Sequence, residues 1–247
     1  SNYVSTFKSI NQKEIFKMEY WPLERAKLSS KKRKKFEGNI AIITGGAGKI
    51  GSAIATKFLK ENIEVVLFDK NFKTFDNEIK NKCTCIKCDL SNKKEVIKSI
   101  NKVVNLFGGI DILISNSGSA FQGQMKDLNE KVLQDSMANN FYSHHYIIQE
   151  TVKIMINQSF GGSISINLSK QSINPGNNFG PYGIAKASAL FMMKQYALEC
   201  GKYNIRVNGV NADRIQSGLL TKEMITQRAK SRGIKEGDYL KNNLLNK

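Results

Sequence analysis

"IAIITGGAGKIGSAIA" (residues 40–55) decides the fold. Ile40 to Ile43 form a continuous apolar run, and glycines at 45, 46, 48 and 51 follow it directly. Beyond them the residues are spaced as in a helix. A short run that is apolar at every position suits a strand covered on both faces, as in a parallel sheet. Glycines at a strand-to-helix turn let backbone approach a pyrophosphate closely. The helix N-terminus behind them offers unpaired N–H groups and the positive end of a dipole. The same turn could serve tight packing alone, so the neighbouring segments have to decide. Asp69 ends the next apolar run, "VVLFD", 18 positions beyond Gly51. A carboxylate there can accept hydrogen bonds from an adenosine ribose, which favours the nucleotide reading.

Outward from this unit, "IEVVLF", a weaker "CTCIK", "IDILIS", "GSISIN" and "IRVNGV" read as strands. Helical stretches over residues 93–107, about 130–157 and from Tyr182 onward separate them. Strands alternating with helices predict βαβ units. The expected fold is a Rossmann-type doubly wound parallel sheet with helices on both faces. It occupies one domain, residues 39–247, behind an extension at 1–38. In that extension "EIFKMEYWPLERAKL" could form a short helix with Ile15, Met18 and Trp21 on one side, and "SSKKRKK" reads as a solvated linker.

Composition narrows the class. The chain has 247 residues and 40% hydrophobic content, enough for one substantial core. No stretch approaches the ~20 apolar residues of a membrane span, and no signal-peptide core opens the sequence; a cytoplasmic location with no membrane partner is expected. Lys and Arg number 38 against 21 Asp and Glu. The excess is divided, +6 over residues 1–37 and +11 over the remainder, so it reads as biased composition and no nucleic-acid partner is expected. Cys83, Cys85 and Cys88 lack paired C-x2-C spacing and a nearby histidine. They read as structural thiols, with no metal.

"SKQSINPGNNFGPYGIAK" (residues 169–186) carries the chemistry. Tyr182 and Lys186 are four apart, so on a helix they share a face. Lowering a phenol from its usual pKa of ~10 to ~7 takes about 4 kcal/mol. One fixed cation ~4 Å away, at an effective dielectric of ~20, supplies a term of that order. The pair could be a proton-transfer device or an ordinary helix start. For the cofactor, a carboxylate at Asp69 repels a 2′-phosphate and favours NAD over NADP, while Lys49 and Lys70 argue mildly the other way.

Taken together, "TGGAGKIG", Asp69, Ser169, Tyr182 and Lys186 resemble the short-chain dehydrogenase/reductase family, from Asn39 to about Leu220. The resemblance implies a catalytic set of Asn140, Ser169, Tyr182 and Lys186, with Asn139 as the alternative register. Tyr182 would exchange the substrate hydroxyl proton, and Lys186 would lower the phenol pKa and hold the nicotinamide ribose. Ser169 would hydrogen-bond the reacting oxygen, and Asn140 would help hold a water on the proton path. The implied cofactor contacts are Gly45, Gly48, Lys49, Ile50, Gly51, Asp69, Asp89, Leu90, Asn116 and Gly118, besides Tyr182 and Lys186. Three departures stand out: Lys49 where glycine is usual, Ala212-Asp213 in place of Pro-Gly, and a missing C-terminal edge strand.

A narrower likeness is carried by "EYWPLERAKL", the 169–187 stretch and "VNADRIQSGLLTKEM". These look like the dehydrogenase half of bifunctional rhamnulose-1-phosphate aldolase/alcohol dehydrogenase proteins. That likeness implies an aldolase domain upstream and L-lactaldehyde as substrate. The family resemblance further implies a homodimer or homotetramer. The alternatives are a sugar-phosphate or polyol dehydrogenase, with Lys170 or Arg214 meeting a phosphate, and a non-catalytic nucleotide-binding module.

Overall fold

In the computed structural model, which describes residues 35–73, 75–213, 215, 222–230 and 233–241, Ile40–Thr44 forms β1 with all five residues buried. The expected N-terminal helix and Arg214 lie outside the described residues. In chain order the next elements are α1 (Lys49–Lys60), β2 (Glu64–Asp69), α2 (Asn77–Lys80), β3 (Thr84–Lys87), α3 (Lys93–Phe107) and β4 (Ile112–Ser115). After them come α4 (Glu130–Met137), α5 (Ser143–Gln158), β5 (Gly162–Asn167), α6 (Gly180–Cys200), β6 (Ile205–Val210), α7 (Lys222–Lys230) and α8 (Glu236–Lys241). The six strands form one sheet in the order β3-β2-β1-β4-β5-β6, every pair parallel. The doubly wound reading holds, and among the described residues β3 and β6 are the two edge strands.

Alternation along each strand builds two cores. Ile40, Ile42, Val66, Phe68, Leu113 and Ile164 face one side and pack with α3, α5 and α6 through Ile100, Ile147, Met155 and Ala189. Ala41, Ile43, Val65 and Leu67 face the other side and meet Ala55 of α1 with Phe72 and Phe75. Burial of each large side chain contributes about 1.5–3 kcal/mol. Both faces are covered, which is why the strands read as unbroken apolar runs.

Local signals set the helix ends. The Asn92 side chain accepts from the N–H groups of Lys94 and Glu95 at 3.1 and 3.4 Å, and Gly108 closes α3 at φ 81°. The long helix expected near 130–157 is interrupted between α4 and α5 by a π turn, Ala138–Tyr142. Such a turn holds one extra residue and rotates the helix beyond it. The short α2 is an addition to the expected elements; Asp76 caps it by accepting from Glu78 and Ile79. Among the described residues no helix is long and apolar enough to cross a membrane.

Because every strand runs the same way, Thr44, Asp69, Ser115, Asn167 and Val210 all end on one rim. Strand order reverses between β1 and β4, and a crevice opens there.

Candidate active site

The glycine loop lies between β1 and α1, at that crevice. Gly45 has φ +62°, which a side chain resists. A Cβ on Gly51 would strike the Gly45 carbonyl and the Gly46 backbone, so Gly51 brings the helix onto the loop. Gly48 caps α1 with no side-chain hydrogen bond, and no acid stands in its first turn. The first N–H groups of α1 therefore face the crevice without a side-chain acceptor, in the arrangement that suits a phosphate. Gly45, Gly48, Lys49, Ile50, Asp69, Leu90, Asn116 and Gly118 line this part of the cleft. Of the expected contacts, Gly51 and Asp89 do not line it. Gly51 acts sterically, and Asp89 is an anchor beside it.

Asp69 is committed at both oxygens, accepting from Ala47 N at 3.0 Å and Asn71 N at 3.2 Å. It thus shapes the glycine loop as well as charging it. Lys70, one of the cations that could attract a 2′-phosphate, is paired with Asp89 at 3.0 Å. Asn116 joins three strand ends: its N–H donates to Thr44 Oγ1, its amide donates to the Thr44 carbonyl, and its side-chain oxygen accepts from Asn167.

Ser169, Tyr182 and Lys186 meet on the neighbouring wall, with Asn116, Gly118 and Ile50 shared between the two halves of the cleft. Ser169 is extended at the head of a single 3-10 turn (Lys170–Ser172) just beyond β5. Tyr182 lies in the first turn of α6, which carries a proline there. The Ser169 hydroxyl lies close enough to the Tyr182 phenol to act on its proton equilibrium. Lys186 is buried one turn on, with its Nζ 5.8 Å from the centre of the Tyr182 ring. Its ammonium donates to the Asn167 carbonyl at 2.9 Å and lies 3.2 Å from His144 Nε2.

Burial sets the proton equilibria here. It pushes the Tyr182 phenol up, against the Ser169 hydroxyl and the Arg228 guanidinium. It pushes Lys186 down to about 7. The downward shift of the phenol expected from Lys186 is therefore not what this arrangement gives. A lysine that burial draws toward its neutral form is a weaker partner for a phenolate.

Asn140 lies in the π turn, fully buried, and does not line the cleft. Its side-chain oxygen accepts from Ser119 N at 3.0 Å, and its amide donates to the Ser119 carbonyl at 2.8 Å. It latches the 116–119 loop from behind, while Asn139 reaches the cleft surface. The Ala212-Asp213 departure finds a use as well. Asp213 pairs with Lys170 at 2.9 Å, and the Lys170 N–H donates to the Ala212 carbonyl. Lys170 is thereby spoken for, which weakens it as a phosphate ligand.

Among the cleft residues that a reading of the sequence does not single out are Asn167, Phe179, Arg228 and Tyr239. Arg228 lies 4.5 Å from the Phe179 ring centre and 3.3 Å from the Tyr239 hydroxyl. Asn167 carries a usable signal, since it ends a parallel strand two residues before Ser169. Phe179 lies inside the 169–186 stretch but is one apolar residue with no signal of its own, and Arg228 and Tyr239 come from distant segments.

Comparison with known proteins bears on the family and the fold. The family pattern described as short chain dehydrogenase matches residues 39–228, and that described as aldolase class II, second domain, matches residues 1–28. The chain is 31% identical to the uncharacterized oxidoreductase YuxG of Bacillus subtilis, over 86% of this chain and 32% of that protein. It therefore spans about a third of the length of that relative. It is 30% identical to short-chain dehydrogenase reductase 3a of Arabidopsis thaliana, with 84% of each covered. Among solved structures, NAD+-bound xylitol dehydrogenase superposes with a TM-score of 0.71 at 25% identity, covering 78% of this chain and 76% of that one.

Proposed function

The chain belongs to the short-chain dehydrogenase family of NAD(P)-dependent oxidoreductases, and from that membership we propose that it transfers a hydride between NAD and a small hydroxyaldehyde or alcohol. The observation that carries this reading is that Ser169, Tyr182 and the buried Lys186 share one wall of the cleft that also holds the glycine loop.

The residues fit a dinucleotide. The uncapped start of α1 and the Gly45–Gly51 contact would hold its pyrophosphate, and Asp69 its adenosine ribose. NAD is preferred because Asp69 stands at that point and Lys70 is already paired with Asp89. The dinucleotide, when bound, supplies the hydride acceptor and, as NAD+, a positive charge in the cleft. In alcohol oxidation Tyr182, as its phenolate, takes the hydroxyl proton and becomes the neutral phenol, and Ser169 donates to the substrate oxygen as its charge changes. Lys186, tied to Asn167, offers its remaining donor to the cleft.

The substrate proposed is L-lactaldehyde. Two observations support it: the aldolase pattern over residues 1–28, and the resemblance to the bifunctional rhamnulose-1-phosphate aldolase/alcohol dehydrogenase group. In that arrangement an aldolase unit upstream in the full-length protein releases the aldehyde on which this domain acts. We further propose that the chain works as a homodimer or homotetramer in the cytoplasm.

A screen with NAD and NADP across lactaldehyde, propanediol, polyols and sugar phosphates tests the reading. Turnover of lactaldehyde or propanediol with NAD is expected. Activity confined to sugar phosphates would replace the substrate, and inactivity on all of them would favour a nucleotide-binding module.

A further inference from the structure

Lys186 is held by a residue that the proposed reaction leaves unused. Its ammonium is 3.2 Å from His144 Nε2, and His144 Nδ1 is 2.6 Å from Ser115 Oγ. His144 is 1% exposed and Ser115 fully buried, so no water competes for these bonds. In its charged form Lys186 can only donate, which makes Nε2 the acceptor and puts the ring proton on Nδ1, donated to Ser115. Burial and then the Lys186 charge hold the imidazole well below the ordinary histidine range, which keeps that ring neutral.

From this geometry we infer that His144 is a positioning residue for Lys186, its Nε2 fixing the ammonium and Ser115 fixing the tautomer. The inference rests on the reading of Lys186 given under the proposed function. Lys186 has three donors. One is spent on the Asn167 carbonyl and one on His144, and the third is left for the cleft that Lys186 lines. Two fixed bonds therefore aim the third, much as the outer partners of a metal ligand aim it.

The acceptor also bears on the charge. A cation buried with few partners gives up its proton, and each acceptor removed makes that easier. The groups facing the ammonium are the Asn167 carbonyl from β5, Gly118 and the Asn140 side chain behind it, His144 from α5 and Tyr182 from α6. Of these only His144 and Tyr182 titrate. Farther along the cleft, Arg228 and the Lys170–Asp213 pair carry charge.

Nitrogen-15 NMR of the full chain, without substrate, tests the inference directly. The chain has two histidines, which makes the ring signals assignable. His144 is expected as the Nδ1–H tautomer, with unprotonated Nε2. The Lys186 Nζ titration should fall by about 1–2 pH units in His144→Leu, the loss of one hydrogen bond to a charged group. His144→Gln, whose amide oxygen can reach the Nε2 position, should restore it to within about half a unit. His144→Asn is too short to reach and should fall with the leucine variant, which decides the matter should His144→Leu not fold. An Nε2–H tautomer in the parent would overturn the inference, and so would an unmoved Lys186 in both short variants or a glutamine variant that falls as far as they do. No substrate enters the measurement, so failure of the proposed reaction and failure of this inference are read separately.

Discussion

Tyr182 and Lys186 make opposite demands on the fold. The tyrosine ring packs edge-on against Phe179, with centres 6.4 Å apart, and in the proposed reaction only its hydroxyl takes part. Tyr182→Phe should therefore keep the fold and NAD binding while lowering lactaldehyde turnover about 10²–10⁴-fold, the usual reach of a positioned proton-transfer group. Steady-state rates with matched NADH titrations check this; a variant as fast as the parent would remove Tyr182 from the mechanism. Lys186 costs stability instead. Its folded pKa of about 7 lies below the ordinary lysine value of 10.5, so between these values the unfolded chain binds more protons. Stability contributed through this group thus rises with pH across that window, and the cost is complete below about 7. Lys186→Met removes the cost and leaves the Asn167 carbonyl and His144 Nε2 without their donor, a loss that does not follow the lysine titration. Relative to the parent, the variant should lose about 3 kcal/mol between pH 7 and pH 10. Urea unfolding at the two pH values measures it, and a difference independent of pH would show that Lys186 is not a buried cation.

At the scale of elements, the loop from β1 to α1 and the end of β2 act as one unit, because Asp69 receives the Ala47 N–H. Asp69→Ala should have two effects. It should narrow the preference for NAD over NADP about tenfold, as one partly screened charge is removed. It should also weaken both cofactors, since the loop loses its acceptor. Fluorescence titrations of NADH and NADPH separate the two, and a parent that already binds NADPH more tightly would contradict the role given to Asp69. These elements are legible in the sequence because local patterns specify them: apolar runs for the strands, Asn92 and Gly108 for the ends of α3, and Tyr182 four residues from Lys186. The π turn is not legible, since one extra residue barely disturbs helical spacing. Within the site, the glycine loop and Ser169 announce themselves by their neighbours in the chain. His144, Arg228 and Tyr239 do not, because folding alone brings His144 to Lys186 and the other two to the cleft. Gly51, Asp89 and Asn140 belong to the region expected of them, but they support the cleft from behind.

For the molecule as a whole, the question is what covers α6. Its buried side carries Ala185, Ala189 and Met192, yet Ile184, Phe191 and Leu198 are 41%, 70% and 79% exposed. These three recur every seven residues, so they lie on one nearly straight line along the helix. Water is a poor partner for such a stripe, and each side chain gains about 1.5–3 kcal/mol on full burial. A second copy related by a two-fold axis presents the same stripe and can cover it. Phe141 and Tyr196 stand in the adjoining groove and widen the apolar face. A stable pair needs about 800 Å² from each partner, and one long helix with its neighbour can supply that. Light scattering of the full chain at micromolar concentration should therefore report a dimer or tetramer. Phe191→Glu places a charge at the middle of the stripe and should weaken association at least ~100-fold, as loss of a central aromatic anchor does. The substituted side chain lies outside the catalytic cleft, so the monomer should keep its fold and bind NADH. A parent that is monomeric throughout would mean that the stripe on α6 is not a subunit interface.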